Sequence, residues 1–171
     1  MAITRTAMID DDGSGTTGTI LNNAWKQELY NQIDAAAYVV PGHLTWTVIW
    51  TLTGGSGLFL GNGTLVGRYM QEGKRITMTL LLIAGTTTNF GSGGAYYGFG
   101  LPALARDAKE INMIGSIWST AGLVLPAVAL GVDTSTINLI NMTGQPLTPT
   151  VPSAWWGPNA RIQISGSYFT A

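Results

Sequence analysis

The alternation of apolar and polar positions is clearest between Thr64 and Leu80. Ile76, Met78 and Leu80 alternate with Thr77 and Thr79, giving one apolar and one hydroxylated face, the pattern of a strand with one buried side. Gly61-Asn62-Gly63-Thr64-Leu65-Val66-Gly67-Arg68-Tyr69-Met70 supplies a partner strand. Between the two, Gln71-Glu72-Gly73-Lys74 makes a tight turn with Gly at the left-handed position. The pattern predicts a β-hairpin.

Period-two runs recur along the rest of the chain. Leu44 to Leu52 alternates large apolar residues with Thr, and Tyr96 to Leu101 is a strand stopped by Pro102. Asn112 to Thr120, Leu123 to Val132 and Thr136 to Met142 are strand-length, and Arg161 to Phe169 alternates as a final strand. Gly54-Gly55-Ser56-Gly57 and the stretch from Thr86 to Gly94 read as Gly/Ser/Thr-rich connections. Ala103 to Glu110 reads as a loop or one helical turn, and Gln145 to Pro158 as a long Pro-rich loop. About eight strands at this spacing predict a mainly β module over residues 41–171, an antiparallel β-sandwich of jelly-roll-like type.

Residues 1–40 are written differently. Met1 to Asp12 reads as an extended arm ending in an acidic turn, Asp10-Asp11-Asp12-Gly13. An EF-hand would need ligands at alternate positions and a distal Glu, which this turn lacks. Thr19 is placed as an N-cap, and Ile20 to about Ala37 is predicted as one α-helix with Leu21, Trp25, Leu29 and Ile33 spaced at i+4. So narrow a stripe is marginal alone; it packs either on its own domain or on copies of itself about a symmetry axis. Pro41-Gly42 ends the segment, leaving an N-terminal arm and helix ahead of the β-module.

Composition narrows the function classes. Of 171 residues, 46% are hydrophobic and only 10% charged, with a net charge of −1, against roughly 25% charged in ordinary soluble chains. Such a chain lacks the clustered Lys/Arg that nucleic acids or anionic membranes require. Cysteine is absent, which removes disulfides and thiolate chemistry. Met1 to Asp12 lacks the features of a signal peptide, and Leu80 to Ala84 is too short to span a bilayer. The expectation is synthesis in the cytoplasm without a signal peptide and without membrane insertion.

Catalytic constellations are scarce. His43 is the only histidine and has no partners for a triad or a zinc site. Gly91-Ser92-Gly93-Gly94 is not followed by the Lys or the helix of a phosphate loop. A glycan hydrolase needs two carboxylates facing one cleft, and the β-region offers only Glu72, Asp107, Glu110 and Asp133, each with an ordinary turn or loop role. No enzyme activity, cofactor or metal is expected. Tyr96, Tyr97, Trp155 and Trp156 are the binding candidates, because adjacent residues on a strand cannot both face the core. An exposed ring stacks on a sugar or seals a subunit interface; the other reading has each ring covering a sandwich edge. Asn62-Gly63-Thr64 and Asn141-Met142-Thr143 match the glycosylation sequon, a match frequent by chance.

Several of these stretches resemble modules of tailed-bacteriophage structural proteins, in particular the distal β-modules of tail fibres and tail spikes. The carriers are Gly61-Asn62-Gly63-Thr64-Leu65-Val66-Gly67-Arg68-Tyr69 with Glu72-Gly73-Lys74, and then Leu80 to Ile83, Thr86-Thr87-Thr88, Phe90-Gly91-Ser92-Gly93, Tyr96, Phe99 and Leu101-Pro102. The ending Trp155-Trp156-Gly157 to Ile162-Gln163-Ile164-Ser165-Gly166-Ser167-Tyr168 is similar too. Thr4 to Asp11 and Asn22 to Asp34 look like the start of other phage virion proteins. The resemblance implies a virion protein made in the host cytoplasm and displayed as a homotrimer. It also implies attachment to another virion protein through the N-terminal segment, and a host cell-surface glycan as a further partner. Leu21, Trp25, Leu29 and Ile33 are the expected oligomer or attachment seam. The chain lacks a long fibre's shaft, which favours a head fibre or decoration role beside the tail-fibre one. A dedicated carbohydrate-binding receptor-recognition protein of the tail is the alternative.

Overall fold

The chain divides into two units at Val40–Pro41. A computed structural model describes residues 43–152 and 154–171. The predicted helix with Leu21, Trp25, Leu29 and Ile33, the arm and the acidic turn lie outside the described residues.

The β-unit has nine strands: β1 Leu44–Trp46, β2 Trp50–Phe59, β3 Thr64–Glu72, β4 Arg75–Ile83, β5 Asn89–Gly100, β6 Asn112–Trp118, β7 Val124–Gly131, β8 Thr136–Asn141 and β9 Arg161–Phe169. A single 3-10 turn, Ala108–Glu110, is the one helical element among the described residues, with Asp107 capping it through Oδ1. All pairings are antiparallel. The strands join in one sheet of order β1-β3-β4-β9-β6-β7-β8-β5-β2.

That order explains why the predicted pair of separate sheets is replaced by one curled sheet. β1 and β2 occupy opposite edges, yet only residues 47–49 join them. Laid flat, nine strands would put the edges about 38 Å apart at ~4.8 Å per strand, and the four Cα steps from Trp46 to Trp50 span at most about 14 Å. The sheet must curl into a half-barrel. Two further short connections, 60–63 between β2 and β3 and 84–88 between β4 and β5, also cross between the halves of the sheet.

The alternation read from the sequence supplies the core. Ile76, Leu82, Ile162 and Ile164 are fully buried, with Met78 and Leu80 at 1% exposure. Ile117, Ala129, Ile137, Leu139, Tyr97 and Phe99 extend the same buried face round the curl. The hairpin forms with β3 and β4 in register from Thr64↔Ile83 to Glu72↔Arg75. Gln71, Glu72 and Arg75 are therefore strand residues, and only Gly73-Lys74 turns. Gly73 has φ 59°, which suits the first central residue of a type II′ turn.

Two segments depart from the expectation. Gly54-Gly55-Ser56-Gly57 and the end of the 86–94 stretch are strand, pairing Gly55↔Gly93, Ser56↔Ser92 and Leu58↔Phe90. Leu52 is the physical reason for the glycines. Its side chain fills the space beside three of them: a methyl group on Gly91 or Gly94 would meet Leu52 Cδ atoms at 2.7 and 2.6 Å, and one on Gly55 would overlap Leu52 as well. The second departure is Leu44 to Leu52, which is two strands at opposite edges with a corner between them. Val48 stays buried in that corner while Ile49 is exposed.

Candidate functional site

The four aromatic residues expected to bind a sugar or seal an interface are not brought together as one exposed platform. Tyr97 is fully buried on β5. Its hydroxyl donates to the Phe90 carbonyl at 2.8 Å, and its backbone N–H to Leu147 at 2.9 Å. Burial pushes the Tyr97 hydroxyl pKa up. Trp156 packs on the same group, its ring stacked on Phe90 at 4.9 Å and edge-on to Tyr97 at 5.5 Å, with its indole N–H donating to Thr148 at 2.7 Å. Trp50 completes the cluster, parallel to Phe99 at 6.5 Å and edge-on to Phe90 at 5.6 Å. Such pairs add about 0.5–1.5 kcal/mol each beyond area burial. The cluster anchors the Pro-rich loop on the sheet: Leu147, fully buried, bonds Leu139 from that loop. Trp155 is half-buried against the same core, and Tyr96, one residue from Tyr97, is half-buried on the opposite side of β5.

The acidic residues have local partners. Arg106 and Glu110 form an exposed i,i+4 ion pair, with Nη2 to Oε1 at 2.6 Å, and the Glu110 carboxylate holds the Arg106 guanidinium pKa up. The same guanidinium lies over the Phe169 ring at 5.6 Å. Asp133 accepts from the Ser135 hydroxyl and N–H, which lowers its carboxyl pKa. Asp107 is spent on the 3-10 cap. His43 is exposed at the entrance to β1. Both sequon asparagines are engaged, Asn62 with Thr86 and Thr87 and Asn141 with Thr143 and Gln145.

A feature that reading the chain for motifs passes over lies on the outer face of β3, β4 and β9. Val66, Arg68, Thr79, Leu81 and Gln163 line a shallow concavity of about 350 Å³, with Leu80 beneath. Register assembles it: Arg68 pairs with Thr79, Val66 with Leu81 and Leu81 with Gln163. The outward residues are distant in sequence and fit no motif spacing. The only signal was the polar half of the strand alternation, in which Arg68 and Gln163 stand out among Thr and Ser.

Among the described residues no helix is long and apolar enough to cross a membrane. The same residues contain no group of three or more His, Cys, Asp or Glu able to hold a metal ion. Comparison with protein-family models, curated proteins and solved structures found no match.

Proposed function

We propose that the chain is a structural protein of a tailed-bacteriophage particle, a head or tail fibre or decoration component that displays its β-module as a homotrimer. Residues 1–40 attach it to another virion protein, with Leu21, Trp25, Leu29 and Ile33 as the seam. The curled sheet is read as jelly-roll-like, its halves facing each other across a shared core. Host-surface adhesion is the displayed module's further role; the second reading is a dedicated carbohydrate-binding receptor-recognition protein of the tail.

The observation that carries the proposal is the surface of the β-unit. β6 and β7 expose Ile114 and Val124 at 75% and 52%, with Leu123 at 61% in the turn between them, an uncharged apolar patch. A chain with a net charge of −1 has little repulsion to keep such patches apart, so cover by copies of itself about a symmetry axis suits it. The low charge and the resemblance of the β3–β4 hairpin and the Gly-Ser-Gly ladder to phage modules support the same reading.

The test is on particles. Antibodies to the β-module should decorate intact virions at the head or the tail tip, and mass spectrometry of purified virions should find the chain. Its absence from purified particles would overturn the proposal.

A further inference from the structure

We infer that the concavity on the outer face of β3, β4 and β9 binds a small carboxylated saccharide, with Arg68 holding the carboxylate. For its biological use this rests on the adhesion part of the reading above; the binding itself does not.

Three observations carry it. First, the polar groups converge yet are unspent. Among the described residues the Arg68 guanidinium, the Thr79 hydroxyl and the Gln163 amide have no hydrogen-bond or ion-pair partner, although all three open on one concavity. Asn62, Asn141 and Asp133, by contrast, are engaged in side-chain hydrogen bonds. Second, the face is locally positive on a nearly neutral chain. Arg68, Arg75 and Arg161 all occupy outward positions of β3, β4 and β9. The one carboxylate on the outward positions of these strands is Glu72, at the hairpin end and in register with Arg75. Third, Val66 and Leu81 give the same hollow an apolar side.

Each part matches one part of such a ligand. A planar guanidinium takes a carboxylate through two parallel N–H···O bonds. The Gln163 amide and Thr79 hydroxyl both donate and accept, as ring hydroxyls require. The C–H face of a pyranose lies on Val66 and Leu81. Pockets with an apolar wall and a few convergent polar groups are the ordinary form of small-ligand sites.

The test is calorimetric titration of the full chain with a short galacturonic-acid oligomer, its neutral galactose counterpart and inorganic phosphate, at low and high salt. The acidic oligomer should bind with a Kd of about 1 mM or tighter, weaken at high salt, and exceed the neutral sugar at least tenfold. Arg68→Gln should weaken binding at least tenfold, and Arg68→Lys should fall between, because an ammonium lacks the fork. Lys109→Gln, which removes a positive charge from the 3-10 turn and not from this face, should bind within about twofold of the parent chain. Equal affinity for the neutral oligomer, tighter binding of phosphate, an unaffected Arg68→Gln, or no detectable binding would each overturn the inference. A chain absent from virions that still binds the oligomer through Arg68 would refute the phage reading and leave this site standing.

Discussion

The Trp46 indole N–H donates to the Gly100 carbonyl oxygen at 3.2 Å. Trp46 ends β1 at one margin of the sheet, and Gly100 ends β5, next to the strand at the other margin. Beside this bond, the Gly100 N–H donates to Ile49 at 2.8 Å in the corner between β1 and β2. One indole therefore ties the two margins of the half-barrel, and its ring also meets Tyr69 edge-on at 6.0 Å. Trp46→Phe keeps most of the apolar contact and loses the bond, so it should cost about 1 kcal/mol. Trp46→Ala should cost about 3–5 kcal/mol. Urea unfolding of the two variants separates these terms.

Gly67 makes room for that ring. A methyl group at Gly67 would lie 2.5–2.6 Å from Trp46 ring carbons, and a ring held at both ends has little freedom to retreat. Gly67→Ala should destabilise by about 1–3 kcal/mol through overpacking. In the Trp46→Ala background the same change should cost much less, a coupling that a double-mutant cycle measures.

The opposite rim is clasped by Asn62. Its backbone N–H donates to Thr87 Oγ1 at 2.9 Å, its Oδ1 accepts from the Thr87 N–H at 2.9 Å, and its Nδ2 donates to Thr86 Oγ1 at 3.0 Å. This joins the β2–β3 turn to the β4–β5 connection. Because the site is exposed to water, Asn62→Ala should cost only about 1–2 kcal/mol. The loss should be local: hydrogen exchange should quicken at 60–63 and 84–88 while the β4–β9 core stays protected.

Two buried tyrosines predict a decline in stability at alkaline pH. Tyr168, 2% exposed, donates its hydroxyl to Ala103 at 2.7 Å, and burial pushes its pKa from 10.0 up to about 12. Tyr97 is raised as well. Above pH 10 the unfolded chain gives up these protons while the folded chain keeps them, so the unfolded state binds fewer protons and stability falls as pH rises. The contribution is whole below pH 10 and is lost for Tyr168 by about pH 12. Tyr168→Phe should lower stability at pH 7 and flatten that alkaline slope in pH-dependent melting; an unchanged slope would contradict the assignment.

The elements legible in the sequence were those whose pattern and environment agree. Ile76, Met78 and Leu80 alternate with threonines and are buried as the alternation implies, and β9 runs from Arg161 to Phe169 as its period predicts. Periodicity did not reveal the corner at 47–49, because Trp46, Val48, Trp50 and Leu52 point inward on both sides of it. The side-chain period survives while the chain changes sheet edge. The glycine-rich ladder was hidden for another reason: Gly55, Gly91 and Gly94 are small because Leu52 occupies their space, and that long-range fit looks like loop composition in a linear reading. At the outer-face concavity, Arg68, Thr79 and Gln163 are neighbours only through strand register. Tyr97 and Trp156 suggested exposure by their adjacency to other aromatics, and the pairing of β5 with β2 and with the Pro-rich loop turned both toward the core.

The central claim is that the protein is a symmetric assembly displaying this β-unit. Static light scattering of the purified full chain at micromolar concentration measures it most directly. A mass three times the 18.0 kDa of one chain, lowered by Trp25→Ala or Ile114→Asp, is the predicted result. A mass of 18.0 kDa that does not rise with concentration would contradict it.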